Sequence, residues 1–286
     1  MSYQILTDSC CDFPAQRYQE LGLIALPLSV TFRGRTYPDR NDDSLKDMYA
    51  GLRAGEAAST AAVNPQQWEE ALEPLLAAGE DVLILAFSSG LSTTYQSACI
   101  AAKEMRERFP ERTILVVDSL CASLGQGLLA YYAAKKRDEG LTLEELKTWL
   151  ESNRLHLCHW FTVDDLMYLK RGGRISATTA ILGTMLSIKP ILHVDDEGHL
   201  VSVGKARGRK ASIAALADKA AELGKNYDNP VMFISHGDCR EDAEALAKLL
   251  KERCGVKEVY INYVGAVIGS HSGPGTLALF FLGEHR

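Results

Sequence analysis

Two unbroken apolar runs, "DVLILAF" (Asp81 to Phe87) and "TILVVDS" (Thr113 to Ser119), constrain this chain more than anything else in it. A strand with one wet face alternates apolar and polar residues. A strand covered by helices on both faces reads as continuous carbon, the pattern of a parallel sheet. Between the two runs, Ser92 to Phe109 has the character of a helix, so strand, helix and strand follow in the order of a parallel crossover. Tyr3 to Thr7 predicts an earlier strand, and Pro14 to Leu21 a helix with proline tolerated in its first turn. Ile24, Leu26, Leu28, Val30 and Phe32 alternate as one half-buried strand, which Pro27 marks as an edge.

Thr142-Leu143-Glu144-Glu145 is a capping box, in which the Thr hydroxyl and the Glu carboxylate satisfy reciprocal backbone donors. It starts a helix to about Asn153 that reads as a connector, and the pattern changes after it. Leu155 to Val163 reads as a strand, "DDLMYLK" as a short helix and "RGGRIS" as a glycine turn. An apolar helix near Ala177 to Leu186 follows, then "IKPILHV" and "HLVSVGKA" as a hairpin about the Asp195-to-Gly198 turn. Helices near Lys210 to Leu223 and Asp242 to Arg253 flank the strand "PVMFISH", while Val264 to Ser270 fits either a strand or a short helix. A length of 286 residues accommodates two such α/β domains, 1–155 and 156–286.

Composition narrows the function. A net charge of −6 argues against a phosphate-backbone partner, so no nucleic acid is expected. The N-terminal stretch has no basic segment followed by an apolar one, and no apolar run reaches the ~18 residues that span a bilayer, so no signal peptide and no stable membrane insertion are expected. Seven cysteines at scattered spacings do not form a disulfide framework and fit a reducing cytoplasm. No Walker phosphate loop and no zinc-type spacing occurs. On a strand, His156 and Cys158 face one side and His159 the other, so they cannot converge on a metal.

Polar turns stand at the ends of the apolar strands: "TDSCC", "FSSGLSTTYQSA" and "VDSLCASLGQG". In open parallel sheets ligands sit there, where helix N-termini favour an anion. Each turn alone reads as a set of N-caps; the hydroxyls of Ser88, Ser89, Ser92, Thr93 and Thr94 together equally suit a small-anion site. Ser59 and Thr60 lie in what reads as another loop, before a helix beginning at Asn64-Pro65. The stretch "VGAVIGSHSGPGTLALFFL" sets His271, Ser270 and Ser272 among glycines between apolar runs. A catalytic His, a phosphate turn, a satisfied core His and the polar end of a greasy pocket all remain open from the residues alone. Ser92, His271 and Asp8 supply the side chains of a serine hydrolase or acyltransferase, but no G-x-S-x-G elbow is present. The basic stretches "LKRGGR" and "GKARGRKA" read either as solvated surface or as a positive patch facing an anionic ligand or partner.

The order and spacing of "TDSCCDFP", "FSSGLSTTYQSA", "VDS" with its Ser-Gly turn, "YLKRGGRIS", "SIKPIL", "GKARGRKA" and "GSHSGPGTLALFF" resemble the DegV family of bacterial fatty-acid-binding proteins over nearly the whole chain. The resemblance implies a parallel-sheet N-terminal lobe and a mixed α/β C-terminal lobe that clamp one long-chain fatty acid between them. It implies a carrier without a cofactor and without catalysis of its own, which hands the acyl chain to a separate ATP-dependent fatty acid kinase similar to dihydroxyacetone kinases. The acyl phosphate made there enters phospholipid synthesis. By the same resemblance Thr60, Ser92 and His271 hold the carboxylate, Ser272 supports them, and Arg174 and Arg207 serve the carboxylate end and the kinase. Cys10-Cys11 stands where Thr-Ala is commoner, Thr93 where Gly is frequent, Ala61 where many relatives have Ser, and Ser272 in place of a common Thr. With Thr60 and Ser92 matched beside it, His271 is expected to bind ligand. A hydrolase using Ser92 and His271 is the alternative, and a lipid sensor the third reading.

Overall fold

The computed structural model describes residues 3–39, 44–176 and 188–286. The two apolar runs become β6 (Asp81–Ala86) and β7 (Ile114–Asp118), which pair in parallel with each other and, through β1 (Tyr3–Asp8) and β2 (Leu23–Leu26), form a sheet in the order β2-β1-β6-β7. Their continuous apolar character follows from burial on both faces. Leu83 and Leu85 enter one core with helices α5 (Leu124–Asp138) and α6 (Leu143–Asn153). Val82, Ile84 and Ala86 enter another with α3 (Pro65–Ala77) and α4 (Thr94–Arg108).

The stretch expected as one alternating strand is two. Leu23–Leu26 joins the parallel sheet, whereas β3 (Ser29–Phe32) lies in a separate antiparallel sheet between β4 (Arg35–Pro38) and β5 (Ala58–Ala61). Pro27 carries no N–H for a ladder, and the chain changes sheets at this residue. The loop assigned to Ser59 and Thr60 is therefore a strand, with Val30 opposite Thr60. Asn64 caps the next helix as expected: its side chain accepts from the Gln67 N–H at 2.9 Å, with Pro65 in the first turn. Thr142 and Glu145 also make both bonds of their capping box, and the helix they start ends at Asn153.

The second sheet is drawn entirely from residues 157–282, in the order β10-β9-β8-β13-β11-β12. β10 (Leu200–Arg207), β9 (Ile188–Val194), β8 (Leu157–Thr162), β13 (Leu277–Leu282) and β11 (Val231–His236) pair antiparallel in succession, and β11 pairs in parallel with β12 (Glu258–Tyr263). Met232, Ile234, Leu277, Leu279 and Phe281 face helices α8 (Arg209–Leu223) and α9 (Arg240–Cys254) in their own core. The alternate residues Phe233, Ala278 and Phe280 share a core with Phe13 and Leu124 of the first half. Phe13 and Phe233 meet edge to face at 6.0 Å. The short helix α7 (Met167–Arg171) lies where "DDLMYLK" placed it, and Val264 to Ser270 resolves into α10 (Ala266–Ser272). The apolar helix expected near Ala177 to Leu186 falls outside the described residues.

Candidate functional site

Where the two halves meet they leave a cavity of about 440 Å³, within the ~300–1,000 Å³ usual for small-molecule sites. Carbon dominates its wall: Leu28, Phe87, Leu91, Phe161, Leu169, Val267, Ile268 and Phe280 all face it. Thr60 reaches it because period-two alternation along β5 turns Thr60 inward and Ser59 outward. Val267, Ile268, His271 and Ser272 reach it from one face of α10, at the spacing of successive helical turns.

At one end of the cavity His271 Nε2 and Thr60 Oγ1 are 2.8 Å apart. Burial, reinforced by the positive charge of Arg174, pushes the imidazole down to about 4, so it is neutral near pH 7. Gly172 packs against the other ring nitrogen so closely that a Cβ there would lie 2.3 Å from His271 Nδ1. Arg174 donates from Nε and Nη2 to the Leu91 carbonyl at 3.2 and 3.0 Å, and from Nη1 to the Gly172 carbonyl. Its guanidinium has no acidic partner among the described residues, and burial pulls its pKa down. A half-buried cation whose hydrogen-bond acceptors among the described residues are carbonyls favours an anion.

Thr60, His271 and Arg174 also line a second, outer cleft of about 310 Å³ together with Ser59, Tyr168, Arg171 and Ser270. These three side chains therefore stand between the apolar cavity and the second cleft. Ser92 borders the inner cavity, but its Oγ pairs with Thr94 Oγ1 at 2.9 Å and accepts from the Thr94 N–H at 3.2 Å. Ser272 lies on the inner wall, and its Oγ has no hydrogen-bond partner among the described residues. Arg207 is exposed at the end of edge strand β10 and lines neither cavity. The expected set is thus split: Thr60, His271 and Arg174 converge, Ser92 and Ser272 border the same space, and Arg207 stands apart.

Ser92, His271 and Asp8 do not form a relay. His271 bonds Thr60, Ser92 bonds Thr94, and the Asp8 carboxylate accepts from the backbone N–H groups of Phe87 and Cys10 at 2.8 and 3.0 Å. Burial raises Asp8 to about 6. Its bonds are those of a residue holding a strand end against the following turn.

Several wall residues escaped the sequence reading. His159 is buried at 2% exposure; its Nδ1 donates to the Leu157 carbonyl at 2.9 Å and its Nε2 accepts from the Ala122 N–H at 3.3 Å. Both nitrogens are thereby committed to backbone, and burial drives its pKa well below that of a free imidazole. Ser123 and Ser235 also face the cavity. Alternation on β8, which separates His159 from Cys158, was the one available signal. Nothing local announces that Ser123 and Ser235 meet across 112 positions of chain.

The family model described as "Uncharacterised protein, DegV family" matches residues 2–284. A DegV domain-containing protein of Clostridium perfringens is 45% identical over 286 residues, covering 99% of this chain and 98% of its own. Among solved structures, a DegV family protein from Thermus thermophilus whose structure concerns fatty acid binding is similar with a TM-score of 0.88 at 33% identity, over 99% of this chain and all of the other. DegV of Bacillus subtilis, a fatty acid binding protein, matches with a TM-score of 0.82 at 30% identity, over 99% of this chain and 100% of its own.

Proposed function

The chain belongs to the DegV family, and from that premise we propose that it binds one long-chain fatty acid in the cavity between its two lobes, 1–155 and 156–286. The observation that carries this reading is the polar end of the cavity: a neutral His271–Thr60 pair stands there beside the Arg174 guanidinium, which has no acidic partner among the described residues. The ligand would be built the same way, with its carboxylate at Thr60, His271 and Ser92, near Arg174, and its chain against Phe87, Phe161 and Val267.

A chain of about 16 carbons offers roughly 12 kcal/mol gross at ~0.8 kcal/mol per buried CH₂. Ordering the chain and losing its freedom offsets much of that, which leaves room for submicromolar affinity without special contacts. Burying the carboxylate requires compensating donors, and hydroxyls, imidazole and guanidinium supply them without a metal.

The protein itself would perform no chemistry. Thr60, His271 and Arg174 also border the outer cleft, beside Arg171, so the carboxylate would be the part of the ligand nearest a docked partner. That arrangement suits presentation to an ATP-dependent fatty acid kinase, with Arg207 on the exposed strand edge available for docking.

Solvent extraction of the purified protein followed by mass spectrometry tests the ligand. A stoichiometric long-chain fatty acid is the expected result, and its absence together with no thermal shift on adding one would overturn the reading. For the partner, acyl phosphate should form with a fatty acid kinase and ATP only when this protein is present, and less of it with Arg207→Ala.

A further inference from the structure

The helix that carries His271 begins at the seam between the lobes. Gly265 precedes α10 with extended backbone, at φ −64 and ψ 169, and a glycine has no side chain with which to cap a helix. A Cβ at Gly265 would lie 2.4 Å from Asp12 Oδ1, so the first lobe comes too close to admit one. That lobe supplies the cap instead. Asp39 Oδ1 accepts from the Val267 N–H at 3.3 Å, and Val267 is the second residue of α10, a donor that an N-cap side chain ordinarily serves.

Asp39 is itself firmly held. It is buried, its Oδ2 accepts from Ser9 Oγ at 2.8 Å, and Ser9 Oγ accepts from the Leu28 N–H at 3.1 Å. The Asp39 N–H donates to the Leu28 carbonyl at 2.7 Å. Leu28 and Val267 both face the cavity, so Asp39 joins a wall residue of the first lobe to one of the second. Asp39 also directly follows β4, while Thr60, the partner of His271, lies on β5 of the same sheet, β4-β3-β5. α10 packs across β3 and β5. The outer strands of a three-stranded sheet stand about 10 Å apart, and a helix of two turns rises about as far. One short helix is therefore tied at both ends to one small sheet, by Asp39 at its start and by the His271–Thr60 bond at its end.

We propose that Asp39 is a positioning residue for the fatty-acid site: by holding the start of α10 against the first lobe, it sets where His271 meets Thr60 and the ligand carboxylate. The inference rests on the fatty-acid reading and adds a residue that touches no ligand. Without the Asp39 carboxyl the buried Val267 N–H loses its acceptor, and the first turn of a helix this short has little else to keep it from fraying. His271 is then placed from one end only. Asp39→Asn preserves the arrangement, because the amide oxygen can accept from Val267 while the amide nitrogen donates to Ser9 Oγ.

The test is a double-mutant cycle on delipidated protein, read as octadecanoic acid affinity by calorimetry. Asp39→Ala should weaken binding about tenfold, the size of one hydrogen bond at the carboxylate. In a His271→Ala background the same change should cost less than about twofold, because Asp39 acts through the histidine. Asp39→Asn should bind within about threefold of the unaltered protein. Ser9→Ala loosens the carboxyl but leaves its bond to Val267; it should cost about threefold alone and nothing measurable beside His271→Ala. It serves the same cycle if circular dichroism shows Asp39→Ala to be unfolded. Losses that multiply to about 100-fold in the Asp39→Ala/His271→Ala variant would make Asp39 a general support of the cavity and overturn the positioning role. Unchanged binding in Asp39→Ala would overturn it too, as would an Asp39→Asn variant no better than Asp39→Ala. Each of these failures leaves the fatty-acid reading standing. If the unaltered protein binds no octadecanoic acid, that reading and the positioning role fail together.

Discussion

His159 and His271 line the same cavity, and burial pushes both imidazoles toward the neutral form. They differ in what holds them. His159 spends both ring nitrogens on the backbone, donating to Leu157 and accepting from Ala122, and its edge packs on Phe280 at 5.2 Å. Among the described residues His271 has one bond, to a hydroxyl that can rotate, and stands beside a cation with no counter-charge. Protein groups complete the first site and leave the second incomplete. Burial alone does not mark a binding histidine; an exchangeable bond next to uncompensated charge does.

The largest expected effect tests the closed site. His159→Ala removes two backbone partners and a packed ring and should destabilise the fold by about 3 kcal/mol, read from a denaturant midpoint. A loss of fatty-acid affinity with unchanged stability would place His159 with the binding groups. At the open site, Arg174→Ala should weaken fatty-acid binding by about 30-fold, since the bond it removes is charge-assisted. His271→Ala should cost about tenfold in affinity while the melting temperature hardly moves. Unchanged binding there would return His271 to a structural role.

Acidification separates the two histidines further. His271 titrates at about 4 in the folded protein against 6.5 when free, so the unfolded chain takes up the proton first and stability falls as pH drops from 6.5 toward 4. The ligand-free protein should lose on the order of 1 kcal/mol from this group between pH 6.5 and about 5.5, and His271→Ala should flatten that slope. His159, also held low, keeps contributing in both proteins. A bound carboxylate raises the imidazole pKa, so fatty acid should flatten the slope as well. An identical slope in all three would remove His271 from the account. The smallest effect belongs to Thr60→Val, nearly isosteric, which should weaken binding about threefold and leave stability within ~0.5 kcal/mol.

The alternation that separated His159 from Cys158 was legible on the strand, yet it did not say what either side would face. Pro27 was legible as a break in pairing, but not as the point where the chain leaves one sheet for another. Thr60 looked like a loop residue because a four-residue strand carries too little periodicity to be seen. In "VGAVIGSHSGPG" the glycines permit helix and strand alike; the packing of Gly269 beneath Tyr49, where a Cβ would lie 2.4 Å from the hydroxyl, accompanies the helix.

Local chemistry determined a great deal. Unbroken apolar runs specified strands buried on two faces, Asn64-Pro65 and Thr142-Glu145 specified helix starts, and the ordered motifs pointed to the family, because each signal acts over a few neighbouring residues. Only the tertiary structure decided which of the matched polar residues share a site. Thr60 and His271 lie 211 positions apart, Arg174 depends on the Leu91 carbonyl of the other lobe, and Arg207 stands on the outside although its motif is equally clear. Convergence of that kind depends on how two sheets pack, and each stretch of sequence describes only its own strand or helix.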